Sequence, residues 1–131
     1  MDLLTQIEQI AFSSPLPATL LEVEQHFDAP KVPDVTAATR AAVETCGLLA
    51  QAQAGETVAV GVGSRGLANL PQIVAAVVAR LREAGLQPFV APAMGSHGGA
   101  TAAGQLDVLA QLGVNEESAG APLRATMAVR E

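Results

Sequence analysis

Hydrophobic positions along the chain change period several times, and each change marks an element. Residues 2–11 place Leu3, Leu4, Ile7 and Ile10 at the spacing of one helical face. Ser13, Ser14, Pro15 and Pro17 break that pattern. Residues 19–27 then read as an extended segment with Leu21, Val23, Gln25 and Phe27 on one side. After a proline-punctuated connection at 29–33, Asp34 predicts an N-cap and residues 35–53 an alanine-rich helix, closed by Gly55. Residues 56–62 (ETVAVGV) form a β-branched run with the look of a central strand. A loop runs to Asn69, and Pro71 suits the first turn of a helix that reaches Ala84 and stops at Gly85. Ile73, Val74, Val77, Val78 and Leu81 make its apolar face, with Arg80, Arg82 and Glu83 toward water.

The second half repeats this order. Residues 87–93 predict a second strand, weakened at its far end by Pro92. Residues 94–100 are a loop, Thr101 caps a helix through Leu112, and Gly113 closes it. Residues 115–118 read as a short helical turn, and 123–129 (LRATMAV) as a third strand. Strands alternating with helices predict an α/β fold: a three-layer, doubly wound, mostly parallel sheet of Rossmann-like form. The expected division is an N-terminal helix and extended segment, 1–33, followed by the α/β domain, 34–131. A strand-like run at the very end suggests the N-terminal domain of a larger two-domain protein, with a C-terminal domain missing here.

Composition narrows the classes. The chain has 131 residues, one domain's worth, and a formal charge of −6. Its seven basic side chains are scattered, with Lys31 the single lysine, so no basic face suits nucleic acid. No apolar stretch reaches membrane-spanning length, so no membrane partner is expected. The first fifteen residues carry two acids and no base, unlike a signal peptide. Cys46 is alone and cannot form a disulfide within the chain; it reads as a packed thiol within the helix 35–53. A cytoplasmic protein is expected.

The candidate chemistry lies in two loops with one pattern, Gly63-Ser64-Arg65-Gly66 and Gly95-Ser96-His97-Gly98. They are 32 residues apart, about the length of one βαβ unit. In a parallel sheet, that spacing places both at the carboxyl ends of adjacent strands, where open α/β folds bind ligands. Residues 61–66 also satisfy G-x-G-x-x-G. A dinucleotide site needs a helix opening within that motif and an acid ending the second strand, and both are missing. No P-loop occurs, and neither Ser64 nor Ser96 has the context of a nucleophile elbow. The glycines can admit a ligand to the backbone, and Arg65 offers a bidentate fork for carboxylate or phosphate. A plain glycine-rich turn with Arg65 in solvent is the competing reading. His97, among flexible neighbours, suits a general acid or base, against an ordinary loop histidine. His26 is remote, so no metal-ligand spacing accompanies His97.

Residues 58–114 resemble the N-terminal domain of the nickel-dependent lactate racemase family. The resemblance rests on Arg65 after a strand, on residues 92–101 (Pro-Ala-Met-Gly-Ser-His-Gly-Gly-Ala-Thr), and on the run Gly-Ser-Arg-Gly-x-Ala-Asn. It implies an isomerase, a racemase or epimerase, that inverts a hydroxyl-bearing carbon of a small 2-hydroxy acid. A nickel pincer nucleotide would be held between two domains. His97 matches the histidine that moves the substrate proton. Arg65 matches the arginine that holds substrate carboxylate or cofactor, with Gly63, Ser64, Gly66, Gly95, Ser96 and Gly98 around them. The family's acid and threonine before the arginine are replaced by Val62, Gly63 and Ser64. Its cofactor-bearing lysine lies beyond this domain, and Lys31 does not match it. The fragment alone is therefore expected to be inactive. The alternative from the residues themselves is a non-catalytic domain that binds a small carboxylate or phosphate.

Overall fold

The computed structural model describes residue 19 and residues 21–128. The expected helix at 2–11 and the last residue of the expected third strand lie outside them. The chain divides into two units, Met1–Pro30 and Lys31–Glu131. Within the first, the described residues carry no helix or strand, and Leu21, Val23 and Phe27 are exposed. His26 lies there too, exposed and 3.3 Å from Glu24.

The second unit is mixed α/β. Its elements are α1 (Val35–Thr45), α2 (Leu48–Gln51), β1 (Thr57–Val62), α3 (Leu70–Glu83), β2 (Gln87–Pro92), a 3-10 turn (Gly98–Ala100), α4 (Ala102–Gln111) and α5 (Glu116–Ala119). Asp34 caps α1 as the sequence predicts, accepting from the Ala37 amide at 2.8 Å. The expected helix 35–53 is broken in two, because Gly47 takes a left-handed φ of 81°. Cys46 is consequently exposed at the end of α1 rather than packed mid-helix. Thr101 caps α4 through the Gly104 amide. Asn115 and Ser118 form a reciprocal capping box on α5.

β1 and β2 pair in parallel, with Val58 opposite Pro88, Val60 opposite Val90 and Val62 opposite Pro92. The expected third strand, 123–129, is reduced among the described residues to one parallel bridge between Leu123 and Val90. Val90 donates to Pro122 and accepts from Arg124. β2 is therefore flanked on both sides, whereas among the described residues β1, the expected central strand, pairs only with β2.

Alternation decides where the core sits. Val62 and Val90 turn to one face and cluster with Val74 and Val78 of α3, Leu109 of α4, and Val114. Val90, Leu109 and Val114 are fully buried. Burying each such side chain stabilises the fold by about 1.5–3 kcal/mol. The other face carries Thr57, Ala59 and Gly61, all exposed, beside half-buried Phe89 and Ala91. Among the described residues, the helices that reach the core do so on one side of the sheet only. α1 lies outside α3 and buries no residue completely. It is joined to α3 by Arg40 to Glu83, at 2.9 and 2.5 Å, and by Arg80 to Glu44. Arg80 and Glu83, expected to face water, are thus the seam between two helices. These partners hold both glutamates below the ordinary carboxylate value, chiefly by hydrogen bonding. No described helix is long and apolar enough to cross a membrane.

Candidate functional site

The parallel register carries both Gly-Ser-cation-Gly segments to the same end of the sheet. Past the last paired residues, the Ala93 amide still donates to the Val62 carbonyl at 2.8 Å. One step further on, the Ser64 hydroxyl and His97 Nδ1 are 2.6 Å apart. Two residues 33 apart in sequence thereby become one hydrogen-bonded pair across adjacent strand ends.

The histidine loop is held from its own helix. The Gln105 side chain, 93% buried with 7% exposed, donates Nε2 to the Gly95 carbonyl at 2.7 Å. Thr101 Oγ1 donates to the Gly98 carbonyl at 3.1 Å and accepts from the Gly104 amide at 3.0 Å. Gly98 has a φ of 64°, and a Cβ placed on it would strike the Gly104 and Gln105 backbone. Gly104 meets Gly98 in the same way, so two bare Cα atoms let the loop close onto α4. Gly99 and Ala100 continue with φ of 65° and 54°. For Ala100 that left-handed conformation costs about 1–2 kcal/mol. Met94, packed against the core, anchors the other end of the loop.

The arginine loop is looser. Leu70 donates to Leu67 at 3.2 Å, and α3 opens only at Leu70. Asn69 precedes it with a φ of 59° and no side-chain cap, and Pro71 sits in the first turn. The helix therefore starts well after Gly66, which leaves the G-x-G-x-x-G run without the helix end that a pyrophosphate needs. Arg65 is exposed and makes no ion pair among the described residues.

Of the residues singled out in the sequence, Ser64 and His97 touch, and Arg65 follows Ser64 directly. Ser96 stands beside the pair without a side-chain partner among the described residues, while its carbonyl accepts from Ala100. Gly95 and Gly98 serve the loop's own bonding. Gly63 and Gly66 shape the first loop, Gly66 with a φ of 61°. Gln105 and Gly104 were not foreseen. An isolated glycine inside an otherwise helical stretch, six residues after Gly98, was the available signal. Ser64, expected to bind ligand, is here the partner of the histidine.

The pair is open to solvent, since His97 is exposed and Ser64 half-buried. A groove of about 580 Å³ begins at the end of the arginine loop, lined by Ala68, Asn69 and Ile73 with Lys31, Val35 and Thr39 opposite. It does not enclose His97. Nickel needs several converging imidazole, thiolate or carboxylate donors. Among the described residues no three His, Cys, Asp or Glu side chains converge. Lys31 lies before α1, outside both loops. The described residues thus supply no nickel donor set of their own.

No protein-family model matches the chain, no curated protein does, and no solved structure does.

Proposed function

We propose that the chain is the N-terminal half of the active-site cleft of an isomerase resembling lactate racemase, acting on a small 2-hydroxy acid. The observation that carries this reading is the Ser64–His97 hydrogen bond at the strand ends. In the state that accepts a proton, Nδ1–H donates to Ser64 Oγ and Nε2 keeps its lone pair for the substrate hydroxyl. The Ser64 hydroxyl hydrogen is then free to donate to a substrate oxygen. Arg65 holds the carboxylate through its two-pronged guanidinium. A 2-hydroxy acid suits this arrangement because it carries a proton-bearing oxygen and a carboxylate on neighbouring carbons.

The three-layer, doubly wound form belongs to the same proposal. Thr57, Ala59, Gly61 and Ala91 make a low sheet face that would accept a second helical layer. A C-terminal domain would close over His97, exclude water, and bring the nickel pincer nucleotide with its lysine. When bound, that nucleotide would take up and return the substrate's hydride. A cytoplasmic setting accompanies the proposal.

The test is chiral chromatography of 2-hydroxy acids incubated with the full-length protein. His97→Gln is expected to lower kcat at least about 100-fold, the scale of a positioned acid or base. Arg65→Gln is expected to act mainly on KM. An undiminished rate in His97→Gln overturns the reading. Arg65, exposed and without an ion pair among the described residues, favours one alternative, a domain that binds a small anion without turning it over. It requires carboxylate binding that Arg65→Gln abolishes, and no racemisation by the wild type.

A further inference from the structure

At the opposite end of the strands, a hollow of about 260 Å³ opens at the first residues of β1 and β2. Its floor is Leu86 and Pro88, both buried, and its rim carries Thr57, Gln87, Arg82 and Arg124. We infer that this hollow is a second anion site, separate from the Ser64–His97 loops, which takes the phosphate group of a small molecule.

The arginines of this acidic chain are unevenly committed. Arg40 and Arg80 are consumed by Glu83 and Glu44. Arg82 and Arg124 form no ion pair among the described residues, yet both line this one hollow. Arg124 is held in place, its guanidinium stacked 4.7 Å from the centre of the Phe89 ring. Its amide donates to the Val90 carbonyl, which fixes the backbone beneath it. Three carboxylates close in sequence to the lining residues already have partners. Glu56 accepts from the Gln53 amide at 2.8 Å, Glu83 is paired with Arg40, and Glu116 accepts from the Leu123 amide. Glu117 shares the neighbouring hollow with Arg82 but reaches no ion-pair distance.

Charge selects the ligand. A phosphate monoester carries nearly two negative charges on three free oxygens, against one charge on two oxygens for a carboxylate. Two arginines lining one hollow, with Thr57 and Gln87 beside them, match the more highly charged group. Six strand residues at about 3.3 Å each put this hollow about 20 Å from the strand-end loops. One molecule of lactate size cannot reach both.

Calorimetric titration with inorganic phosphate at constant ionic strength, with succinate as a parallel arm, tests the inference. Saturable phosphate binding is expected, tighter than succinate and weakened about tenfold by Arg82→Gln or Arg124→Gln. Arg65→Gln should leave it unchanged. This separates the site from the proposed catalytic half-cleft, so either can fail alone. Arg82 is exposed, so Arg82→Gln keeps the fold even if Arg124→Gln suffers from losing its stack on Phe89. Arg82→Lys, which keeps charge without the fork, should fall between wild type and Arg82→Gln. Absence of saturable binding, binding indifferent to Arg82→Gln, or equal preference for succinate overturns the inference.

Discussion

Residues 95–98 are tied down from their own helix by Gln105, Thr101 and the bare Cα of Gly104. Residues 63–66 follow the same Gly-Ser-cation-Gly pattern, yet among the described residues their one side-chain bond is the one Ser64 makes to His97. Equal sequence has produced unequal loops because the residues that follow differ. After His97 comes a capped helix with a glycine at its third position. After Arg65 come four residues before α3 begins. The lesson concerns division of labour. In the proposed reading, the proton carrier His97 stands on the more tightly bonded loop, where geometry must be kept, and the anion holder Arg65 on the freer one, where a fork needs reach.

Substitutions can break this contrast in order of size. Leu109 is fully buried and seats α4 against the sheet. Leu109→Ala is expected to cost about 2–5 kcal/mol in chemical denaturation, and to unseat the histidine loop with it. Gly104→Ala drives a methyl into the Gly98 backbone and should cost about 2–4 kcal/mol. Gly66→Ala in the partner loop meets no atom within 4 Å, so only its left-handed φ is penalised, by about 1 kcal/mol. Equal losses from those two glycines would erase the contrast. Gln105→Ala leaves the Gly95 carbonyl without its donor, worth about 1–3 kcal/mol, and should raise amide exchange at 95–98 but not at 63–66. Ala100→Gly relieves strain and should stabilise by about 0.5–1 kcal/mol.

Acid acts elsewhere. Glu44 and Glu83 have folded-state values below the ordinary 4.5, so their contribution is complete above that value. It is lost as pH falls through the lowered values, when both carboxyls take protons. Loosening of α1 from α3 at pH values below the ordinary carboxylate value is therefore expected before the strand-end loops respond. Amide exchange of residues 35–45 against 95–101, followed across that range, reads the difference.

Much of this layout was written locally. The caps Asp34 and Thr101, the stops at Gly85 and Gly113, and the two apolar strand runs depend on neighbours a few residues away. The break at Gly47 was not legible, because a glycine inside a helix costs only about 1 kcal/mol and does not announce a left-handed turn. The exposure of one sheet face was not legible for a related reason. Thr57, Ala59 and Gly61 count as apolar or β-branched in a run, but their small size shows only once the alternation is assigned to faces. Strand spacing brought the two loops to one end of the sheet. It could not choose Ser64 over Arg65 as the partner of His97, since that depends on the register of β1 against β2. The contact between Gly98 and Gly104 likewise exists only once the loop has folded back.

The central claim is that the two loops form one site through Ser64 and His97, with Nε2 left for a substrate. Nitrogen-15 NMR of the His97 ring in wild type and Ser64→Ala tests it most directly. The prediction is a neutral ring carrying its proton on Nδ1 in the wild type, with that proton moving toward Nε2 once the serine oxygen is removed. A ring whose two nitrogens give the same signals in both proteins would contradict it.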